Sequence, residues 1–146
     1  TYSYFKKKRI KVIFGGDVAA ASNFDISVFT NYMCDSWLVS PSINLSSSTA
    51  PYLTFDNVVR YSGSGLELYV STDYDGVSNP SLQGTWNNIT SSVPNWDVAS
   101  GDWNFVPSGN VDLTPYSSSN TYIAFKYIGS NSDGATWEID NIIVQE

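Results

Sequence analysis

No histidine occurs among the 146 residues. A Ser–His–Asp relay, a Cys–His pair and an imidazole-bound zinc are therefore excluded. The acid–base groups that remain are carboxylates. Glu138 and Asp140 stand two apart, and on a strand such residues share a face about 6–7 Å apart. That spacing falls within the roughly 5–10 Å over which glycosidases hold their two carboxyl groups. Glu67 is a further carboxylate that another strand would have to bring to them. Glu138-Ile139-Asp140 lacks a third carboxylate two places further on, and the chain is expected not to be an enzyme.

Calcium is the stronger chemical expectation, because hard cations take six to eight oxygens held in turns. Asp73-Tyr74-Asp75-Gly76, with Asn79 beyond it, offers two carboxylates ahead of a glycine. Asn131-Ser132-Asp133-Gly134 has the same outline ahead of Glu138. Neither completes the twelve-residue loop of an EF-hand, and Asp-Gly is equally the mark of a plain turn. Asp73, Asp75, Asn131 and Asp133 are the resulting metal candidates, for a structural calcium. The third constellation is aromatic. Trp96 and Trp103 lie in the long Ser-, Asn-, Asp- and Gly-rich stretch 87–109, Tyr74 at a loop tip, and Tyr61 beside Arg60. These five residues are the ligand-binding candidates, as stacking platforms and hydrogen-bond donors for a sugar. For Trp96 and Trp103 the alternative is a lid folded back on the core. Exposed aromatics also mark protein interfaces, so the partner expected is a glycan or a host or matrix protein. Trp37, Trp86 and Trp137 sit inside strand patterns and are assigned to the core.

The elements that must position these groups are strands. Aromatics make up 15% of the chain and charged residues only 14%. There are 23 Ser and three Glu. β-Branched and aromatic residues fill pleated surfaces, and Ser, Gly, Asn and Pro punctuate loops. Strands are expected at 9–14, 19–21, 24–30, 37–39, 52–60, 66–72, 85–89, 103–106, 111–113, 122–128 and 136–144. Their spacing of about ten residues is that of a sandwich or barrel. The faces expected inward are Phe24, Ile26 and Val28; Leu53, Phe55 and Val59; Leu66, Leu68 and Val70; Ile123, Phe125 and Tyr127; and Trp137, Ile139 and Ile143. No window carries a helical stripe. The reading is an all-β antiparallel sandwich, a single domain over 1–146.

Net charge is −7, unevenly placed. Lys6, Lys7, Lys8, Arg9 and Lys11 supply five of the seven basic residues. From residue 12 onward 14 acidic residues face two basic ones, Arg60 and Lys126, a balance of −12. Such a body repels a phosphate backbone, so no nucleic acid partner is expected. The basic block suits a solvated edge strand or terminal arm. Cys34 stands alone, which leaves no internal disulfide and reads as a small buried hydrophobe. No apolar run approaches the roughly 20 residues of a membrane span, so no membrane insertion is expected. No signal peptide is visible, and the chain is taken as a fragment or processed form of a larger multidomain protein.

Several segments carry a resemblance. Asp35-Ser36-Trp37-Leu38-Val39-Ser40-Pro41, Ile43-Asn44-Leu45 and Leu53-Thr54-Phe55 resemble the opening of the cleaved-adhesin and choice-of-anchor J domains of Bacteroidetes surface proteins, distant relatives of MAM domains. Residues 66–73 (LELYVSTD), Trp86, Val111-Asp112-Leu113, residues 122–127 and residues 137–142 follow in that family's order, covering about 35–144. The resemblance implies a jelly-roll sandwich similar to galactose-binding-like modules, with an extracellular or cell-surface setting. It also implies an adhesive role and structural calcium, and it adds Asp35 and Asp140, beside strand ends, to the metal candidates. The function expected is an extracellular carbohydrate-binding module with a structural calcium. The alternatives are a structural or protein–protein adhesion module of a larger surface protein, and an accessory domain of a secreted hydrolase.

Overall fold

In the computed structural model, residues 27–146 are described throughout, together with 4–6, 9–11, 19–22 and 24–25. The described strands are β1 (Tyr4–Lys6), β2 (Arg9–Lys11), β3 (Ala19–Ala21), β4 (Phe24–Asp25), β5 (Thr30–Asn31), β6 (Cys34–Val39) and β7 (Tyr52–Arg60). They continue with β8 (Leu66–Ser71), β9 (Asn87–Asn88), β10 (Val106–Pro107), β11 (Val111–Asp112), β12 (Tyr122–Gly129) and β13 (Thr136–Gln145). Two 3₁₀ turns, Thr90–Ser92 and Thr114–Tyr116, are the helical elements among the described residues. None of these is long and apolar enough to cross a membrane.

Two antiparallel sheets pack face to face as an all-β sandwich. The first has the order β10–β7–β13–β3, with β11 also paired to β7. The second has the order β6–β12–β8–β9. β1 pairs with β2 and β4 with β5 as separate two-stranded ribbons. Alternation of side chains explains the core: Leu53, Phe55 and Val59 from β7 meet Leu66, Leu68 and Val70 from β8 and Ile123, Phe125 and Tyr127 from β12. Phe55 and Phe125 meet edge-to-face across the two sheets, ring centroids 5.0 Å apart.

Three expectations shift. The inward series Trp137, Ile139, Ile143 breaks after Ile139, because the register of β13 on β7 slips between Asp140 and Ile143. Asn141 takes a left-handed φ of 49° there. The extra residue inverts the alternation, so Ile142 and Val144 face inward instead. The segment 24–30 is not one strand but a β4–β5 hairpin with a turn at 27–29. Phe29 has φ 50° in that turn, and Val28, expected inward, is 55% exposed. Of the strand expected at 9–14, Arg9–Lys11 forms, and residues 12–14 lie outside the described residues, as do Ile26 and the side chain of Phe24. The basic block falls on β1 and β2, with Lys7 and Lys8 outside the described residues.

Candidate functional site

The loop between β9 and β10 is fastened to β7 by polar side chains in the core. Asn57 takes a place in the inward series of β7 where an apolar residue is the rule, and it is wholly buried. Its Nδ2 donates to the carbonyls of Asn95 (3.3 Å) and Val106 (3.0 Å), and its Oδ1 accepts from the Asp97 amide (2.8 Å). Asp97 in turn accepts from the Val59 amide at 2.8 Å. Ser108, also wholly buried, accepts from the Phe55 amide at 2.9 Å. Buried polar groups satisfied this completely fix a single backbone path. Trp96 is the plug of this loop. Its ring lies 5.4 Å from Phe55 and 5.7 Å from Trp137, and its Nε1–H donates to Thr90 O at 3.0 Å. It is half-buried against the core, so of the two expected roles the lid is the one it takes.

Trp103, seven residues further, stays out. It is 41% exposed, and the guanidinium carbon of Arg60 lies over its ring, 5.4 Å from the centroid. Tyr61, 59% exposed, receives the same guanidinium at 5.4 Å. Three of the five expected ligand contacts therefore converge at the end of β7. Tyr61 holds a left-handed φ of 68°. For a bulky residue that conformation costs about 1–3 kcal/mol and is characteristic of ligand clamps. The Arg60 side chain makes no hydrogen bond among the described residues, and its Nε is buried without a partner. Neighbouring Asp102 has its carboxyl held below the ordinary aspartate range, first by the Asn104 amide and, more weakly, by the charge of Arg60.

Tyr74 does not belong to this group. The loop that follows β8 folds over the outer face of the second sheet, and Tyr74 is buried there, 5.2 Å from Trp86 and 5.1 Å from Tyr122. Gly84 makes the fold-over possible: it has φ 88°, and a Cβ on it would come within 3.1 Å of the Tyr74 Cβ. Trp37 and Trp86, assigned to the core, instead build a second aromatic cluster on that outer face, and Trp137 alone of the three lies in the core. Trp37 lies 5.3 Å from Trp86 and 5.5 Å from Tyr69, with the Lys126 ammonium 4.8 Å above its ring. Register pairs Lys126 with Trp37 on one side and Glu67 on the other. Tyr69 donates to Glu67 at 2.8 Å, and burial followed by that carboxylate pushes its phenol pKa up. This cluster was legible in the parity of β6, where Trp37 shares a face with Asp35 and not with Leu38.

The carboxylates are dispersed. Glu138 and Asp140 share the outer face of the first sheet, whereas Glu67 lies on the outer face of the second, so the three cannot meet across the sandwich. Asp73 accepts from the Thr85 amide (2.6 Å), the Thr85 hydroxyl and the Ser71 hydroxyl, and these donors lower its pKa. Asp75 is lowered likewise by the Ser78 hydroxyl and the Ser78 and Val77 amides. Asn131 accepts from the Met33 amide, and Asp133 from the Ser130 hydroxyl. Asp35, on the second sheet, lies 3.7 Å from Lys126 and accepts from Ser81. Asp140, on the first, accepts from the Asn141 amide. No group of three or more acidic or cysteine side chains is placed to hold a metal among the described residues. Cys34 is a half-buried free thiol packed against the core. A cavity of about 210 Å³ opens between the sheets beside Ser36, Leu38, Phe125, Tyr127 and Ile139. Its wall is mostly apolar and suits no polyhydroxyl ligand.

The chain belongs to the DUF5017 family, described as a domain of unknown function, whose model matches residues 43–146. No curated protein matches it. Among solved structures it is similar to the "Structure of infectious bursal disease virus Gx strain", at 12% identity and a TM-score of 0.23. That likeness spans 92% of this chain and 39% of the viral one, so the chain covers about two fifths of that protein's length. At so low a score it bears on neither fold nor function.

Proposed function

We propose that this domain is a binding module, one unit of an exported or cell-surface protein, and that it holds a carbohydrate at Arg60, Tyr61 and Trp103. The observation that carries the reading is the convergence of two exposed aromatic rings on one guanidinium, 5.4 Å from each centroid. Rings of this kind stack on the apolar face of a pyranose, and arginine N–H groups donate to its oxygens. Tyr61 is held in the left-handed region, and Trp103 stands on a loop anchored by Asn57, so the site exists before the ligand arrives. Preorganisation of this sort reduces the entropy cost of binding. The order of segments over 35–144 that resembles cleaved-adhesin and choice-of-anchor J domains supports the surface setting and a jelly-roll strand path. A second reading, adhesion to a protein, is favoured by Val77 (88% exposed) and Leu82 (85% exposed) on the loop over the second sheet. A glycan array probed with the wild-type chain and with Trp103→Ala tests the first reading. Binding that disappears in the variant is expected. An array that stays blank, or one unchanged by the substitution, refutes it in favour of protein adhesion.

A further inference from the structure

We infer that the glycan bound at Arg60, Tyr61 and Trp103 carries carboxylates, that is, uronic acid residues. This rests on the binding reading above and names its ligand class.

Arginine presents five N–H donors in one plane and no acceptor. At this site the guanidinium carbon lies over two aromatic rings. Ring faces offer no lone pair in the plane of the guanidinium, so these contacts leave its N–H donors without a conventional acceptor. None of them meets an acceptor among the described residues. The Nε is buried and unpartnered, and the ion pair formed among the described residues is the distant Lys126–Asp35 contact. Asp102 feels the charge of Arg60, yet its Oδ1 accepts from the Asn104 amide at 3.0 Å and it forms no ion pair with the arginine. The Nε is buried beyond a ligand's reach, so the donors open to an acceptor are those on the two terminal nitrogens, which make no hydrogen bond among the described residues. The fork of a guanidinium matches a carboxylate through two parallel hydrogen bonds, which are shorter and stronger than those to a neutral hydroxyl.

Charge narrows the class further. From residue 12 onward the body carries −12, with Arg60 one of only two cations. A long polyanion, whether a nucleic acid, a sulfated glycan or a polyuronate, would meet repulsion over its whole length, so the ligand is a short acidic segment. One uronate places a single charge at the arginine, and screening over about 8 Å at physiological salt separates it from most of the acidic surface. A uronate also keeps the C–H face that Trp103 and Tyr61 need for stacking.

The test uses the intact chain and a panel of galacturonate, mannuronate and glucuronate oligomers, each paired with its methyl-esterified form, in titration calorimetry. Wild type is expected to bind at least one acidic oligomer and to lose about tenfold or more in affinity on esterification. Arg60→Gln should lose the same factor on the acid and bind the two forms equally. Arg60→Lys, which keeps the charge without the fork, should fall between them. Circular dichroism and melting of each variant establish that it folds. Equal wild-type affinity for acid and ester overturns the inference, as does an acid preference that survives in Arg60→Gln. If neutral glycans bind through Trp103 and Arg60→Gln changes nothing, the inference falls and the parent reading stands. If no glycan of either kind binds, both fall.

Discussion

Replacing Asn57 by alanine separates the scaffold of the site from its contacts. The side chain is wholly buried and makes three hydrogen bonds, at 3.3, 3.0 and 2.8 Å, all to the stretch 95–106. Alanine leaves the Asp97 amide and the carbonyls of Asn95 and Val106 without that partner in a dry place. A buried group left unsatisfied costs about 1–3 kcal/mol. Carbonyls retain a second lone pair and some water will enter the space, so the sum is about 2–4 kcal/mol rather than three full penalties. For a chain of this size, 1 kcal/mol moves the melting temperature by about 2–4 °C, which gives a fall of roughly 4–16 °C. Urea unfolding followed by circular dichroism measures the first figure, and hydrogen exchange of the amides at 95–106 shows whether the loss is concentrated there. Asn57→Asp sharpens the case. It keeps the acceptor for the Asp97 amide but turns an oxygen toward two carbonyl oxygens. It should be at least as damaging as alanine at neutral pH, and should recover as falling pH protonates the carboxyl and restores a donor. A loss below about 1 kcal/mol for Asn57→Ala, or a neutral-pH Asp variant as stable as wild type, would refute the clamp.

Two further outcomes follow from the loop over the second sheet. Asp73 and Asp75 both have pKa values lowered by hydrogen bonds in the folded chain. Their stabilising effect is therefore present above the ordinary aspartate value of about 4 and is lost as pH falls below it. Melting temperature should drop between pH 5 and pH 2, and more gently in Asp73→Asn; equal slopes in the two proteins would contradict this assignment. The same carboxylates accept hydrogen bonds from Thr85, Ser71, Ser78 and Val77, and a calcium ion would share their oxygens with these donors. Melting in calcium against chelator tests the expected structural calcium: a site held at a hundredfold excess over its dissociation constant raises the melting temperature by about 5–10 °C, and coincident curves reject it.

The sandwich was readable because its long strands obey a period of two. The stretch 52–60 coincides with β7, and the inward residues of β8 and β12 fall where alternation puts them. Alternation fails where a backbone irregularity intervenes, since one extra residue at Asn141 reassigns every later side chain of β13. Asn141 is a residue type that tolerates the left-handed region, but that tolerance alone does not locate the slip, which pairing with β7 fixes. Parity also decides Trp37, which follows Asp35 onto the outer face. Its neighbours there, Lys126 and Tyr69, come from strands whose register is set by long-range pairing and not by local pattern.

The division between Trp96 and Trp103 shows most plainly where local reading ends. Both lie in one polar loop, seven residues apart, in similar company. What separates them is the distance of each from Asn57. Trp96 sits between Asn95 and Asp97, the two residues whose backbone Asn57 binds, and is drawn with them onto Phe55 and Trp137. Trp103 lies between Asp97 and Val106, two points at which Asn57 holds the loop, on a span that Asn57 itself does not touch, and its ring lies outward beside Arg60. The signal was a polar residue in an apolar series: Asn57 interrupts Leu53, Phe55 and Val59 at an inward position. A buried amide must find partners, and Asn57 finds them in the backbone of the loop between β9 and β10. One asparagine therefore bears on which tryptophan packs against the core and which stays exposed beside Arg60.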